Sequence, residues 1–306
     1  MDFLTGLLVA TFQLATPYLL AAQGEVYAER SGVMNLGVEG VMVMGAFAGL
    51  FGTLATGNLG VGILLAIIAG AFLGLALAFL SVTLRSDQVI LGVALSSMIG
   101  WSLVAYLLRM VYGGSNIHSP TLKNIGIPIL RQIPVIGPAL FEQNILTYLA
   151  IFSTPILALV LSRTIIGLKI KATGENPRSS ETMGLNVYLI RYLCVIFGGI
   201  MAALGGAALM LGYVGVFHEN LVAGRGWIAI TLVILGRWSP VGVLGASLLF
   251  GSIEALQWRL QVLGLGIPSQ FMLMLPYLLA IVVLVIVARK AGAPASLGLP
   301  YTREEK

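Results

Sequence analysis

Charge is what this sequence has least of. Only 9% of its 306 residues are Asp, Glu, Lys or Arg, where soluble domains carry about a quarter. So few charges cannot cover a water-facing surface, which excludes a freely soluble domain. Cysteine is nearly absent as well: Cys194 stands alone, so no disulfide framework exists within the chain. The two histidines, His118 and His218, lack Cys or carboxylate neighbours at ligand spacing, and no metal site is expected. Nowhere does a Gly-rich loop end in Lys followed by Ser or Thr, so an ATP site of the Walker kind is missing. No nucleophile, base and orienting group converge at usable spacing, so neither an enzyme nor a cofactor is expected. The net charge of +5 does not point to nucleic acid, because basic residues of membrane proteins collect in cytoplasmic loops.

What the chain has in abundance is apolar surface: 58% of residues are hydrophobic and the mean hydropathy is +0.99. A bilayer core about 30 Å thick needs roughly 20 apolar residues per helix. Uncharged stretches of that length predict spans near 3–22, 36–55, 60–84, 88–108, 143–162, 190–212, 240–258 and 270–288. Thr56-Gly57-Asn58 supplies the turn between the second and third. A further stretch, 219–238, crosses only if its helix begins near Glu219 and takes in Arg225. The expected fold is all-α: one polytopic bundle over 1–306 with eight to ten spanning helices.

The positive charges orient it. With nine spans and the amino terminus outside, inside loops hold Arg30, Arg85, Arg163, Lys169, Lys171, Arg178, Arg191, Arg237, Arg289, Lys290, Arg303 and Lys306. Outside loops or span ends hold Arg109, Lys123, Arg131, Arg225 and Arg259, twelve against five. That bias places 165–186 and the carboxyl terminus in the cytoplasm and 112–142 outside. Residues 1–22 carry Asp2 rather than a basic start, which favours a retained helix over a signal peptide.

Small residues recur every fourth position at Ala66, Gly70, Gly74 and Ala78, and again at Gly198, Ala202 and Gly206. Such rows let helix backbones approach closely in lipid. A six-residue echo links Val61–Ala66 with Val241–Ala246 on helices of opposite direction, as inverted repeats require. Six residues of Gly, Ala, Val and Leu also match by chance.

Three polar segments stand out. Residues 24–40 place three acids and one arginine between two spans. Read plainly this is a solvated turn in which Arg30 pairs with Glu29 or Glu25. Yet Asn35 and Glu39 run directly into an apolar helix, where ionisable groups face a bundle interior or a wet cavity. Glu39 then needs Arg30 or backbone N–H groups as partners, with Gly32–Gly40 held in a non-helical turn. In residues 167–186, Asn176 can cap a short helix that starts at Pro177 and ends at Gly184. The segment from Tyr112 to Asn144 is too long for a tight connection. Ser96, Ser97 and Trp101 share one helix and either line a polar path or simply pack, with serine back-bonding to the helix.

Glu29-Arg30-Ser-Gly-Val-Met-Asn35-Leu-Gly37-Val-Glu39-Gly40 resembles the signature of permease subunits of bacterial ABC importers. The nearest likeness is to nucleoside and simple-sugar permeases, relatives of the ribose and branched-chain amino acid permeases. It continues through Thr16–Ala22 and Leu84–Ile90. The resemblance implies a type II importer-like bundle in the bacterial plasma membrane, driven by separate ATPase subunits. It further implies a second permease subunit, a different chain or an identical one, and an extracytoplasmic substrate-binding protein that meets 112–142. Gly174, Glu175, Asn176, Pro177, Arg178, Glu181 and Gly184 take the place of the coupling helix that docks on the ATPase. Asn35, Glu39, Ser96 and Ser97 fall beside the path of the solute. A secondary transporter or channel is the alternative, but ion coupling usually needs ionisable groups in mid-membrane, and Glu254 is the exception in these spans.

Overall fold

The computed structural model describes residues 3–114, 116–128, 130–262, 269–288 and 292–302. The basic positions 289, 290, 303 and 306 lie outside the described residues. Twelve helices are labelled: α1 Phe3–Arg30, α2 Val38–Thr56, α3 Leu59–Thr83, α4 Gln88–Tyr112, α5 Ile136–Phe141 and α6 Ile145–Arg163. Then come α7 Ile165–Glu175, α8 Pro177–Thr182, α9 Val187–Val214, α10 Arg225–Leu235, α11 Pro240–Val262 and α12 Ser269–Ala288.

The starts and stops follow from side chains ahead of each apolar run. Gly57 ends α2 in a left-handed conformation, φ +68°, and Asn58 opens α3 by accepting the Gly60 N–H at 2.8 Å. Asp87, Asn144, Asn176 and Asn186 accept N–H groups in the first turns of α4, α6, α8 and α9. Each side-chain oxygen satisfies an amide that the helix itself leaves open.

Seven of the described helices, α1, α2, α3, α4, α6, α9 and α11, are long and apolar enough to cross a membrane. Helix α12, twenty residues, occupies the last expected span. The 219–238 stretch corrects the expectation: no helix begins near Glu219. Ala223 and Gly224 take positive φ, +50° and +83°, and the helix starts only at Arg225. Eleven residues at about 1.5 Å each reach about 16 Å, roughly half the apolar core.

Helix α9 is the post around which the bundle is built. The small-residue rows let helix backbones approach it closely, as expected: a methyl added at Gly70 would stand 2.6 Å from Ala203 Cβ, and one at Gly74 would stand 2.9 Å from Ile196 Cα. Gly24 meets Gly198 in the same way, 3.0 Å from its Cα. Ala66 and Ala78 are fully buried, while Leu64, Ile68, Phe72 and Leu75 on the other face of α3 are exposed. In lipid that division puts the small face on protein and the large face on hydrocarbon.

The two ends of the bundle differ. At one end two short antiparallel pairs, Ile117–His118 with Val216–Phe217 and Ile125–Gly126 with Glu142–Gln143, fasten the 112–142 loop. At the other end gather residues 30–32, 174, 191, 237, 238 and 296, joined by hydrogen bonds. Helices α3 and α11 start from opposite ends, so the echoed segments Val61–Ala66 and Val241–Ala246 run in opposite directions.

Candidate functional site: a broken span beside two cavities

Residues 31–37 are not helical, but Val38–Gly40, expected to share that turn, already form the first turn of α2, and the segment is not a solvated turn. Ser31 and Val33 are 0% exposed and Asn35 is 1% exposed. Side chains from neighbouring helices replace water: the Met34 N–H donates to Gln88 Oε1 at 2.8 Å and the Asn35 N–H to Glu25 Oε1 at 2.9 Å. Asn35 Oδ1 accepts the Gly37 N–H at 2.9 Å. Irregular backbone inside a membrane protein survives only with such cover. Arg30 does not pair with Glu29 or Glu25. It donates to the carbonyls of Trp238 at 3.0 Å and Arg237 at 3.2 Å, while Glu29 accepts the Trp238 indole N–H. The acids of this segment are thus spent on holding backbone and indole groups rather than on Arg30.

Glu39 sits in the first turn of α2 and is buried. Its Oε1 accepts the Gly224 N–H at 2.8 Å and its Oε2 the Gly226 N–H at 2.7 Å. Backbone amides are therefore its partners, one of the two expected sources, and Arg30 is not. A carboxylate at a helix N-terminus satisfies open N–H groups and complements the positive end of the helix dipole. Here it caps α10 from another helix and so fixes where the broken span resumes. Gly226 has no room for a Cβ, which would stand 2.8 Å from the Glu39 Oε2.

Beside this cap lies a second polar cluster. Arg225 Nη2 meets Glu254 Oε1 at 2.5 Å, and Tyr18 donates to Glu254 Oε2 at 2.9 Å. Arg225 Nη1 reaches the Leu221 and Val222 carbonyls at 3.3 and 3.2 Å. Its Nε is buried with no hydrogen-bond partner. Sequence reasoning missed the pairing: Glu254 stood out in mid-span, but Arg225 read as a residue of an outside loop or span end. Opposite charges at that depth normally find each other.

The irregular strand 219–224 separates two cavities. One, about 290 Å³, is lined by Glu39, Val43, Gly100, Glu219, Asn220 and Val222. The other, about 150 Å³, is lined by Tyr18, Arg225, Glu254, Gln257, Trp258 and Tyr277. Ala223 borders both. The strand is held from four sides: by Glu39, by Arg225, by the Tyr277 hydroxyl on the Ala223 carbonyl at 3.3 Å, and by Arg109 on Glu219 at 2.7 Å.

Ser96 belongs to this neighbourhood. It opens a π-helical stretch of α4, Ser96–Leu103, of the kind often found at functional sites. Its hydroxyl donates to the Leu36 carbonyl at 3.1 Å and accepts the Gly40 N–H at 3.4 Å. Ser97 is not brought to the site: it is exposed and bonds back to the Val93 carbonyl at 2.9 Å. The Trp101 side chain lies outside the described residues.

The residues of the 165–186 segment come together in a single turn. Gly174 lies against the end of α1, where a Cβ would stand 3.2 Å from the Gly32 N. Glu175 ends α7, Asn176 caps α8 through the Ser179 N–H at 3.0 Å, and Pro177 is the first helical position. Arg178 and Glu181 ride on α8, and Gly184 follows it at φ +83°.

Residues 7–288 match the family model described as "Branched-chain amino acid transport system / permease component". The chain is 36% identical to the guanosine ABC transporter permease protein NupQ of Bacillus subtilis, over 100% of this chain and 99% of that protein. It is 34% identical to the nucleoside ABC transporter permease protein NupC of Lactococcus lactis, over 95% of each. It is 39% identical to the putative glucose ABC transporter permease protein TsgC13 of Haloferax volcanii, over 87% of this chain and 81% of that one. Each of these organisms has a second, more distant relative named for the same substrate, at 25 or 26% identity. No solved structure matches the chain significantly. These likenesses decide against the secondary-transporter alternative: the chain belongs to the branched-chain amino acid transport system permease family and is the membrane-spanning permease of an ABC importer.

Proposed function

We propose that this permease carries a nucleoside or simple sugar inward across the bacterial plasma membrane. It does so with two ABC ATPase subunits on its 165–186 end and an extracytoplasmic binding protein on its 112–142 end. The nucleoside reading rests on the relatives that align over nearly their whole length. Pairing with a second, different permease is supported by the two relatives of common substrate name in each organism.

The broken span carries the transport reading. Strand 219–224, a run of turns and bends, has no helix to stiffen it, and cavities of mixed polar and apolar lining flank it on both sides. Ligand pockets for small molecules run from about 300 to 1,000 Å³; the cavities of about 290 and 150 Å³ lie at and below the lower edge of that range, so neither is a deep grip. That suits a path that must release what it receives. Closure of the ATPase dimer pushes α8. Through Gly174 the push reaches the end of α1, and through α1 and α9 it reaches the strand between the cavities. The chemistry of energy release stays on the ATPase.

Uptake of radiolabelled nucleosides, sugars and branched-chain amino acids by cells carrying the complete transporter tests this reading. Nucleoside or sugar uptake that disappears with the permease is expected. Uptake of branched-chain amino acids alone would overturn the substrate assignment.

A further inference from the structure

The turn built from Gly174 to Gly184 is not alone on its end of the bundle. Residues 292–302 fold back across it. The Ser296 N–H and hydroxyl both donate to the Gly174 carbonyl, at 2.9 and 2.6 Å. The Ala295 N–H reaches Glu175 Oε2 at 3.3 Å, and the Gly298 N–H reaches the Gly32 carbonyl at 3.2 Å. Tyr301 donates its hydroxyl to Glu181 and packs its ring on Tyr188, 5.7 Å between centroids.

Arg191, at the start of α9, ties the tail to the helices. It is 1% exposed. Its Nε donates to the Ser31 carbonyl at 3.2 Å, Nη1 to the Leu299 carbonyl at 3.2 Å and Nη2 to Ser296 Oγ at 3.3 Å. One buried guanidinium thus joins the end of α1, the start of α9 and the tail. Gly32, at φ +92°, passes so close that a Cβ would stand 2.6 Å from Ser296 Oγ and 2.8 Å from Arg191 Nη2.

Two consequences follow for the 165–186 turn. Helix α8 has six residues, too few to hold its shape without packing, and the tail supplies that packing. Glu175 and Glu181, two of the charged side chains a partner was expected to meet, are already engaged by the tail. The outward face is a composite: a groove of about 330 Å³ lined by Pro177 and Arg178 of α8 and by Leu299 and Pro300 of the tail. Leu299 of this groove is 58% exposed, and Met183, which follows α8 directly, is 83% exposed. Six residues of helix alone fall far short of the area of a stable interface, about 1,200 Å² or more in total. The tail enlarges the face.

We propose that residues 294–302 and α8 together form the docking surface for the ABC ATPase, with an ATPase side chain seated in the groove between Arg178 and Leu299. The Arg191–Ser296–Gly174 knot makes this surface move as one piece with α1 and α9. The proposal rests on the reading that 165–186 faces the ATPase.

The test places a photo-crosslinking benzoylphenylalanine at one position at a time in the complete transporter: 183, 299 or 123. Crosslinks to the ATPase subunit from both 183 and 299, and none from 123, are expected. A crosslink from 183 without one from 299 overturns the tail's part and leaves the coupling reading standing. Silence at both sinks the coupling reading and the proposal with it. A second measurement uses Leu299→Glu, which alters an exposed side chain and leaves the knot in place. ATPase retained on the purified permease should fall about ten-fold at unchanged membrane level, the loss typical of a central interface contact. Retention at the wild-type level also overturns the proposal.

Discussion

Glu39 Oε2 accepts the N–H of Gly226 at 2.7 Å across 187 positions of sequence, so the first turn of one helix sets the start of another. Because Oε1 takes Gly224 at the same time, the carboxylate uses both oxygens. Glutamine keeps one acceptor and turns an NH₂ toward the second N–H, whereas alanine leaves both amides bare. A buried donor without a partner costs about 1–3 kcal/mol. Transport at matched expression should therefore fall for Glu39→Gln and fall further for Glu39→Ala. If both variants transport normally, strand 219–224 does not depend on this cap.

The cap shows what could and could not be read in advance. That Glu39 needed buried partners follows from its place at the head of an apolar run, and so does the broken helix before it. Which amides would serve could not follow, since Gly224 and Gly226 lie in a stretch whose apolar residues read as part of one helix. Local signals were legible where one side chain acts on its own neighbours, as Asn176 does in capping α8. The row Gly70, Gly74, Ala78 was legible because a period of four fixes a face. The tail was not, since Ser296 and Tyr301 carry no periodicity or charge, and their partners Gly174 and Glu181 lie 122 and 120 positions away.

The Arg225–Glu254 pair lends itself to a mutant cycle. Its side chains are 14% and 8% exposed, so solvent screens little of the interaction. Removing one partner strands the other charge, at a cost of about 3–5 kcal/mol, whereas replacing both with apolar groups is often tolerated. Melting of the detergent-purified protein should drop sharply for Arg225→Met and for Glu254→Leu, and partly recover in the double variant. Additive losses would show that the two residues act independently.

Close helix packing gives a prediction with its own control. A Cβ at Gly206 would stand 3.0 Å from the Ala46 N, against backbone that cannot move aside, whereas one at Gly245 has nothing within 4 Å. Overpacking typically costs about 1–3 kcal/mol. Gly206→Ala should lower the yield and melting temperature of the purified protein, and Gly245→Ala should leave both unchanged. Equal behaviour of the two would mean that α2 and α9 separate easily.

Sidedness is the prediction on which the placing of every partner depends. The described helices put 112–142 and 165–186 at opposite ends of the bundle, and the twelve-to-five division of basic residues is the ground for the prediction that the second end is cytoplasmic. Position 123 is exposed at the first end and position 178 at the second. Cys194 is 5% exposed, so Cys194→Ala gives a quiet background at the loss of little more than a small apolar filler. Single cysteines at 123 and 178 are then treated with an impermeant maleimide, first on intact cells and then after the membrane is opened. Labelling at 123 on intact cells, and at 178 only after opening, is expected. The reverse pattern would invert the protein in the membrane, placing the ATPase surface on the side without ATP and overturning the assignment of both ends together.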